Sequence, residues 1–506
     1  VPPLSHQTFF NYEYSPSIDW NAAMATENKT SSLLPQLFWR LHFWSGLITA
    51  PIVLFAAFSG LLYIFTPQIE AWRHASLDRA NAIAPAQSLD RQIAAAQQAF
   101  PGKTIRSIVP SVDTEQTTQI FFGEKKKRAT QSASAQTVKP VNTTSEGSTG
   151  STSGEHAMHQ HHSTSGNASS TTSSAVPSSP FIAYINAGSL EVQGSIAEDG
   201  RFKEWARKLH SSFLQGESWR WLIELGACWM LFMLVSGVYL WWPRGSANWR
   251  SVFVRDRRDP STNNKSRRDW RYFHSIVSIS SLLLTFTIII TGITWAKYAG
   301  DNFRQLQSAL GQSSPRAPMQ LRSTPNEQAA LGAQAIYDIA QKKVSGIQMQ
   351  LTPPKTDNGV WRVESFDRTQ PSKRFQMSID AYSGEILYFS GWQDLPLLAK
   401  ATAVGIPFHR GEYGWWNQAL LVVVALSVIF AVISGFVMWL KRRKPQTLSA
   451  PKVSNKSLRA VPLLLWITLA AFAYALPVFG ISLVILIVVE ILTALIRSKS
   501  SKDAVA

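Results

Sequence analysis

Residues 209–244 read LHSSFLQGESWRWLIELGACWMLFMLVSGVYLWWPR. His210 comes first and Gly216-Glu217 follow; an apolar run then carries Ser236-Gly237 and Trp241 to a basic exit at Arg244. The plan returns at 408–443, FHRGEYGWWNQALLVVVALSVIFAVISGFVMWLKRR, with His409, Gly411-Glu412, Ser434-Gly435 and Trp439. Both apolar runs are long enough to cross a hydrocarbon core, which takes about 20 helical residues. A second histidine-led run precedes each copy. RLHFWSGLITAPIVLFAAFSGLLYIF at 40–65 carries His42 and Gly60, and YFHSIVSISSLLLTFTIIITGITWA at 272–296 carries His274 and Gly292. The His-to-Gly offset is 18 residues in both, five turns at about 3.6 residues per turn. Each glycine therefore shares a helix face with its histidine at the other end of the span. The pattern is a two-helix unit used twice, each helix led by a histidine.

The spacing predicts an α-helical integral membrane protein with four core spans: 36–66, 216–243, 273–297 and 413–441. A further apolar stretch, 461–497, is too long for one upright span, and Pro477 and Gly480 fall in its middle. It reads as a hairpin of two short helices, with one kinked helix as the alternative. The net charge of +17 is concentrated where topology needs it. Arg244, Arg250, Arg255, Arg257, Arg258, Lys265, Arg267, Arg268 and Arg271 crowd the 244–272 loop, and Lys441 to Lys444 lead into the 442–460 linker. The positive-inside rule makes both segments cytoplasmic, so the charge is topogenic and no nucleic-acid partner is expected. Both termini are then cytoplasmic, in a bacterial inner membrane. The polar 1–35 segment begins with valine; the chain reads as a fragment or as having a non-standard start, with Met24 the alternative, and no cleavable signal peptide is expected. The lone Cys228 excludes an intrachain disulfide and C-x-x-C-H haem attachment, and reads as packing.

The two outer stretches, 67–215 and 298–412, share a helix-then-strands order. SLDRQIAAAQQA is a helix stopped by Pro101-Gly102, and TTQIFFG and FIAYINAGSLEVQGS are strands. EQAALGAQAIYDIAQKK is a helix, and VSGIQMQLTPP, GVWRVESFD and RFQMSIDAYSGEILYFSG are strands. Each stretch is expected to form a small α+β module of its own, with Ile379 to Leu387 paralleling Ile185 to Val192. The Ser/Thr/Gly-rich insertion 125–180 cannot bury a core and reads as disordered. Its His156, His159, His161 and His162 are weak Cu or Zn ligands, set against a plain solvated tract.

In the order and duplication of its motifs, residues 36–443 outside the insertion, the chain resembles the PepSY-associated transmembrane family. The marks are Arg40-x-His42-x-x-x-Gly46, the Leu209-His210 turn and Tyr382-Ser-Gly-Glu-Ile386. The resemblance implies two PepSY-like periplasmic modules. Members include membrane ferric-siderophore reductases with two b-type haems, so it also implies haem-mediated reduction of an iron chelate.

Topology and repeat together pair His42 with His274 near the inner face and His210 with His409 near the outer face. Imidazole is a common axial ligand of haem iron, and two bis-histidine haem b groups, one per leaflet, are the expectation. A histidine that anchors a helix among headgroups is the plain alternative. Gly237 and Gly435 reach the inner pair and Gly60 and Gly292 the outer pair; they either make room for a flat macrocycle or pack helices directly. Arg40, Arg207, Arg271 and Arg410 lie near the four histidines as candidate propionate partners, with snorkelling the rival for Arg40 and Arg271. Trp205, Trp219, Trp221, Trp415 and Trp416 gather beside the outer pair or simply mark the lipid interface.

The expected function is a ferric-siderophore oxidoreductase. No G-x-G-x-x-G follows a strand, so electrons come from a quinol or a separate donor. A non-redox PepSY sensor or interaction protein and a metal transporter are the alternatives. The transporter needs a polar path, yet Glu224 and Glu490 are the only carboxylates well inside the apolar runs.

Overall fold

A computed structural model describes residues 33–80, 85–113, 115–123, 180–243, 265–325, 329–443 and 462–503. The insertion histidines, the polar segment 1–32, the arginines from 244 to 258 and the linker 444–461 lie outside the described residues.

The chain opens with α1 (Leu33–Ile64), 32 residues, apolar on every side, as a helix in lipid must be. A short amphipathic helix, α2 (Thr66–Arg73), turns off its end at Pro67. In α3 (Leu89–Ala99) the Ser88 hydroxyl accepts from the Arg91 N–H, and Gly102 at φ +77° lets the chain leave. Four strands follow: β1 (Thr104–Val109), β2 (Thr117–Gly123), β3 (Phe181–Asn186) and β4 (Val192–Ala197). Of these, β1 is not among the strands expected from the sequence. The turn after β3 is held by Asn186, whose Oδ1 accepts from Gly188 and Ser189 N–H at 3.0 and 3.2 Å. Next, α4 (Phe202–Ser212) carries His210 in its last turn and ends on left-handed Phe213. The span α5 (Arg220–Trp241) follows.

The third expected span is not one straight helix. It is α6 (Lys265–Ser280) and α7 (Leu282–Ile293), bent by 60°. Ser280 and Ser281 lie adjacent at the bend, and the Ser281 hydroxyl donates to Val277 O at 2.9 Å; such back-bonding competes with the helical ladder and bends helices. Then come α8 (Tyr298–Ala309), α9 (Ala333–Lys343), β5 (Met349–Thr352), β6 (Trp361–Ser365), β7 (Phe375–Ile379), β8 (Ile386–Gly391), α10 (Leu397–His409) and α11 (Trp415–Arg442). The chain closes with α12 (Leu463–Ala475) and α13 (Pro477–Asp503), broken at Leu476. The second arm is 27 residues long, longer than the hairpin reading expected. Gly480 lies against the Ala473 carbonyl, where a Cβ would sit 2.8 Å from the oxygen, so the two arms meet closely.

The two outer stretches do not form separate modules. Their strands make one antiparallel sheet in the order β4-β3-β2-β1-β5-β6-β7-β8, joined where Ile108 of β1 faces Leu351 of β5. Apart, β1 and β5 would each present an unpaired edge; joined, they remove both. One core serves both halves: Ile108, Ile120, Phe122 and Phe181 pack with Leu351, Val363 and Met377 beneath α3 and α9. The two helices also cap each other. Asp90 of α3 accepts from Ala333 N–H at 2.7 Å, and Gln334 of α9 accepts from Leu89 N–H at 2.9 Å.

Below the sheet the long helices close a ring: α1 packs on α5 and α11, α11 on α6, and α5 on α7. The C-terminal arm α13 leans on α5, where Trp229 Nε1 donates to Ser482 at 2.9 Å and its ring meets Phe479. Glu224, buried in α5, accepts from the N–H groups of Tyr298 and Ala299 at 3.0 and 2.8 Å. A carboxylate there satisfies two orphan donors at the start of α8.

Candidate cofactor site

Each of the four histidines sits on a neighbouring helix in the same way. His42 of α1 rests on α5: Nδ1 is 2.8 Å from Ser236 Oγ, and Cε1 faces Gly237, whose ideal Cβ would lie 3.5 Å away. His210 returns the contact to α1, with Nδ1 3.0 Å from Ser59 Oγ and Cε1 against Gly60. In the second half, His274 Nδ1 is 2.8 Å from Ser434 Oγ with Gly435 opposite Cε1. His409 Nδ1 lies 3.2 Å from Thr291 Oγ1 and 2.9 Å from Ile288 O, with Gly292 against the ring. Within each half the imidazoles are thus exchanged between neighbouring helices, each seated on a hydroxyl followed by a glycine. The Ser236 and Ser434 seats are visible in the repeat; Ser59 and Thr291 are not singled out by sequence reasoning. A signal for them exists, since a Ser or Thr precedes every one of the four glycines.

The seats decide the tautomer. Each hydroxyl has one proton and gives it to its own helix. Ser59 donates to Phe55 O at 2.7 Å, Ser236 to Met233 O at 3.2 Å, Thr291 to Thr287 O at 2.8 Å and Ser434 to Ala431 O at 3.1 Å. The hydroxyl must then accept from the imidazole, so the proton is on Nδ1. For His409 the Ile288 carbonyl demands the same. The Nε2 lone pair is left over, and it makes no hydrogen bond among the described residues. An Nδ1–H held by an oxygen, with Nε2 turned outward, is how metal-bound histidines are oriented.

His42 and His274 line one cavity of about 550 Å³ at the end of the bundle away from the sheet. Gly46, Gly237 and Gly435 lie in its wall, and Arg271 and Arg442 stand near its mouth. The volume falls in the range of cofactor sites, and the glycine surfaces leave room for a flat group, so the residues present fit a haem held by two imidazoles. Arg442 also lies over the Trp39 and Phe43 rings at 4.6 and 5.1 Å. At the sheet end, burial pushes the His210 imidazole down to about 4, and nearby His409 adds to this. Burial likewise lowers His409. Both outer imidazoles are therefore neutral.

The chain belongs to the PepSY-associated TM region family. The family model matches residues 39–442, which include all four histidines and their seats. Comparison with curated proteins finds no match. This member of the PepSY-associated TM family is a membrane protein: three described helices are long and apolar enough to cross a bilayer, and the bent α6–α7 pair makes up to four.

Of the four arginines singled out from the sequence, Arg271 lines the cavity. Arg40 instead pairs with Glu490 of α13. Arg207 faces Glu204 at 2.9 Å on an exposed surface, and Arg410 bonds the Tyr63 hydroxyl at 3.1 Å and Glu412 at 2.8 Å. The tryptophans stay exposed, Trp415 at 80%, as an interfacial belt does. Among the described residues no three His, Cys, Asp or Glu side chains converge as a metal site; axial coordination by two imidazoles does not require such a group.

Proposed function

We propose that the chain is an inner-membrane, haem-dependent reductase that passes electrons across the bilayer to a ferric chelate, a ferric siderophore in iron uptake. The observation that carries this reading is the set of four imidazoles seated through Nδ1 with Nε2 free, two of them on one cavity. His42 and His274 would hold one haem b, and His210 and His409 the other. Bound haem supplies a one-electron carrier at each leaflet. The chain's own part is to fix the imidazole planes through Ser59, Ser236, Thr291 and Ser434, and to keep water from the buried ligands. Arg271 supplies positive charge where propionates would emerge. On the expected topology the sheet is periplasmic and covers the outer pair, where an iron chelate would dock. Glu224 is engaged in capping α8, which speaks against its serving a transport path.

The test is an absorption spectrum of the purified chain. A reducible Soret band and sharp α-band are expected, with two haems per chain. His42→Ala or His274→Ala should each remove one haem and spare the other. If all four single histidine replacements leave haem content unchanged, the ligand assignment fails, and a non-redox interaction role becomes the better reading.

A further inference from the structure

We propose that the groove between α5 and the α6–α7 bend admits the ring of a lipid-soluble quinol from the bilayer into the His42/His274 cavity, with the Thr285 hydroxyl as its polar anchor. The identity of the occupant rests on the electron-transfer reading; the existence of a site does not.

The first observation is the groove. It is lined by Leu234, Val235, Val238, Leu282, Leu283 and Phe286, without a charged side chain, and it faces outward where lipid would lie. Val235 is 57% exposed and Leu283 76%. Leu234, Val238 and Leu282 belong to both the groove and the cavity wall, so one set of side chains separates lipid from the cavity. The bend at Ser281 lies beside this point, and it draws α7 out of line with α6.

The second observation is Thr285. Its side chain lines the cavity and is 3% exposed, yet its hydroxyl has no hydrogen-bond partner. The neighbouring hydroxyls behave differently. Ser281, Thr287, Thr291 and Thr294 each donate to a carbonyl three or four residues earlier. A buried hydroxyl left unpaired is costly, and each one in a native fold calls for an explanation. A haem does not provide one, since its rim at this depth is hydrocarbon. Its propionates belong at the mouth near Arg271 and Arg442, and Arg271 is about four helical turns along the chain from Thr285. Ser275, Ser278 and Ser281 continue the polar wall from Thr285 toward that mouth. A flat ring with oxygen on its edge and an apolar tail matches this combination: oxygen to Thr285, tail through the groove into lipid. In becoming a quinone the quinol gives up two electrons and two protons. Two ferric chelates take one electron each, and the protons pass to water.

Binding is measured on the full chain in detergent by the quenching of tryptophan fluorescence on titration with decylubiquinone. Wild type should show saturable quenching. Thr285→Val, which removes one hydrogen bond, should weaken binding roughly fivefold or more. Val235→Phe, in the groove but outside the cavity wall, should weaken it at least as much, with haem content unchanged in both variants. Absence of saturable quenching, or wild-type affinity in both variants, overturns the proposal. A preparation without haem that still shows this variant dependence would keep the quinone site and sink the reductase reading. Full haem with unaffected variants would do the reverse.

Discussion

The hydroxyl-glycine seat is the smallest unit on which the site depends, and its four copies are not equivalent. A methyl at Gly292 would come within 2.9 Å of His409 Cε1, whereas at Gly435 it would lie 3.8 Å from His274. Gly292→Ala should therefore displace its imidazole and lose most of the outer haem, while Gly435→Ala should retain the inner haem; pyridine haemochrome titration distinguishes the two. Ser236→Ala removes the Nδ1 partner of His42 without touching Nε2. It should cost about 0.5–1.5 kcal/mol of stability and shift the midpoint potential of the inner haem alone, read by redox titration. The repeat makes all four glycines legible in the chain itself. The hydroxyls are legible at two seats only, because a serine or threonine in an apolar run looks like filler until its partner on another helix is known.

At the scale of elements, the informative cases are those where one segment completes another from far along the chain. Asp90 caps α9 across more than two hundred residues. Asp90→Ala should destabilise the sheet layer by about 0.5–2 kcal/mol, as other lost caps do, seen as a lowered midpoint in thermal denaturation. Asp380 holds the turn after β7, accepting from Tyr382, Ser383 and Thr324 N–H at 2.8, 2.9 and 3.1 Å. Burial acts to raise its carboxyl, but these N–H groups outweigh burial and hold it below the usual carboxylate range. A carboxyl depressed on folding adds stability above its unfolded pKa, and that stability is lost as pH falls through the folded value. The sheet should thus lose stability in acid, and Asp380→Asn should flatten that part of the pH profile of unfolding. The bend at Ser281 belongs to this scale as well. Hydropathy across 273–297 shows a span and cannot show an angle.

For the whole molecule, the joined sheet is the feature with the widest consequence. Ile108 and Leu351 link the two halves through one strand pair and one apolar core. Ile108→Ala should cost about 2–5 kcal/mol. Hydrogen exchange should then quicken in β6 and β7 as well as in β1 and β2; independent modules would confine the effect to the mutated half. The same union ties the two long hydrophilic stretches into a single cap on the membrane bundle, with α4 and α10 delivering His210 and His409 beneath it.

The order of apolar and polar runs is enough to settle what is local. Length and hydropathy identify helices that must satisfy their own backbone bonds in lipid, and the repeated histidines and glycines mark which faces carry chemistry. Pairing across distance is another matter. Whether β1 seeks β5, which hydroxyl receives which imidazole, how far α6 turns from α7, and that Arg40 meets Glu490 and not a cofactor all depend on contacts between segments far apart in the chain. No periodicity along one strand or helix encodes the partner of its edge or face; only packing in three dimensions chooses it.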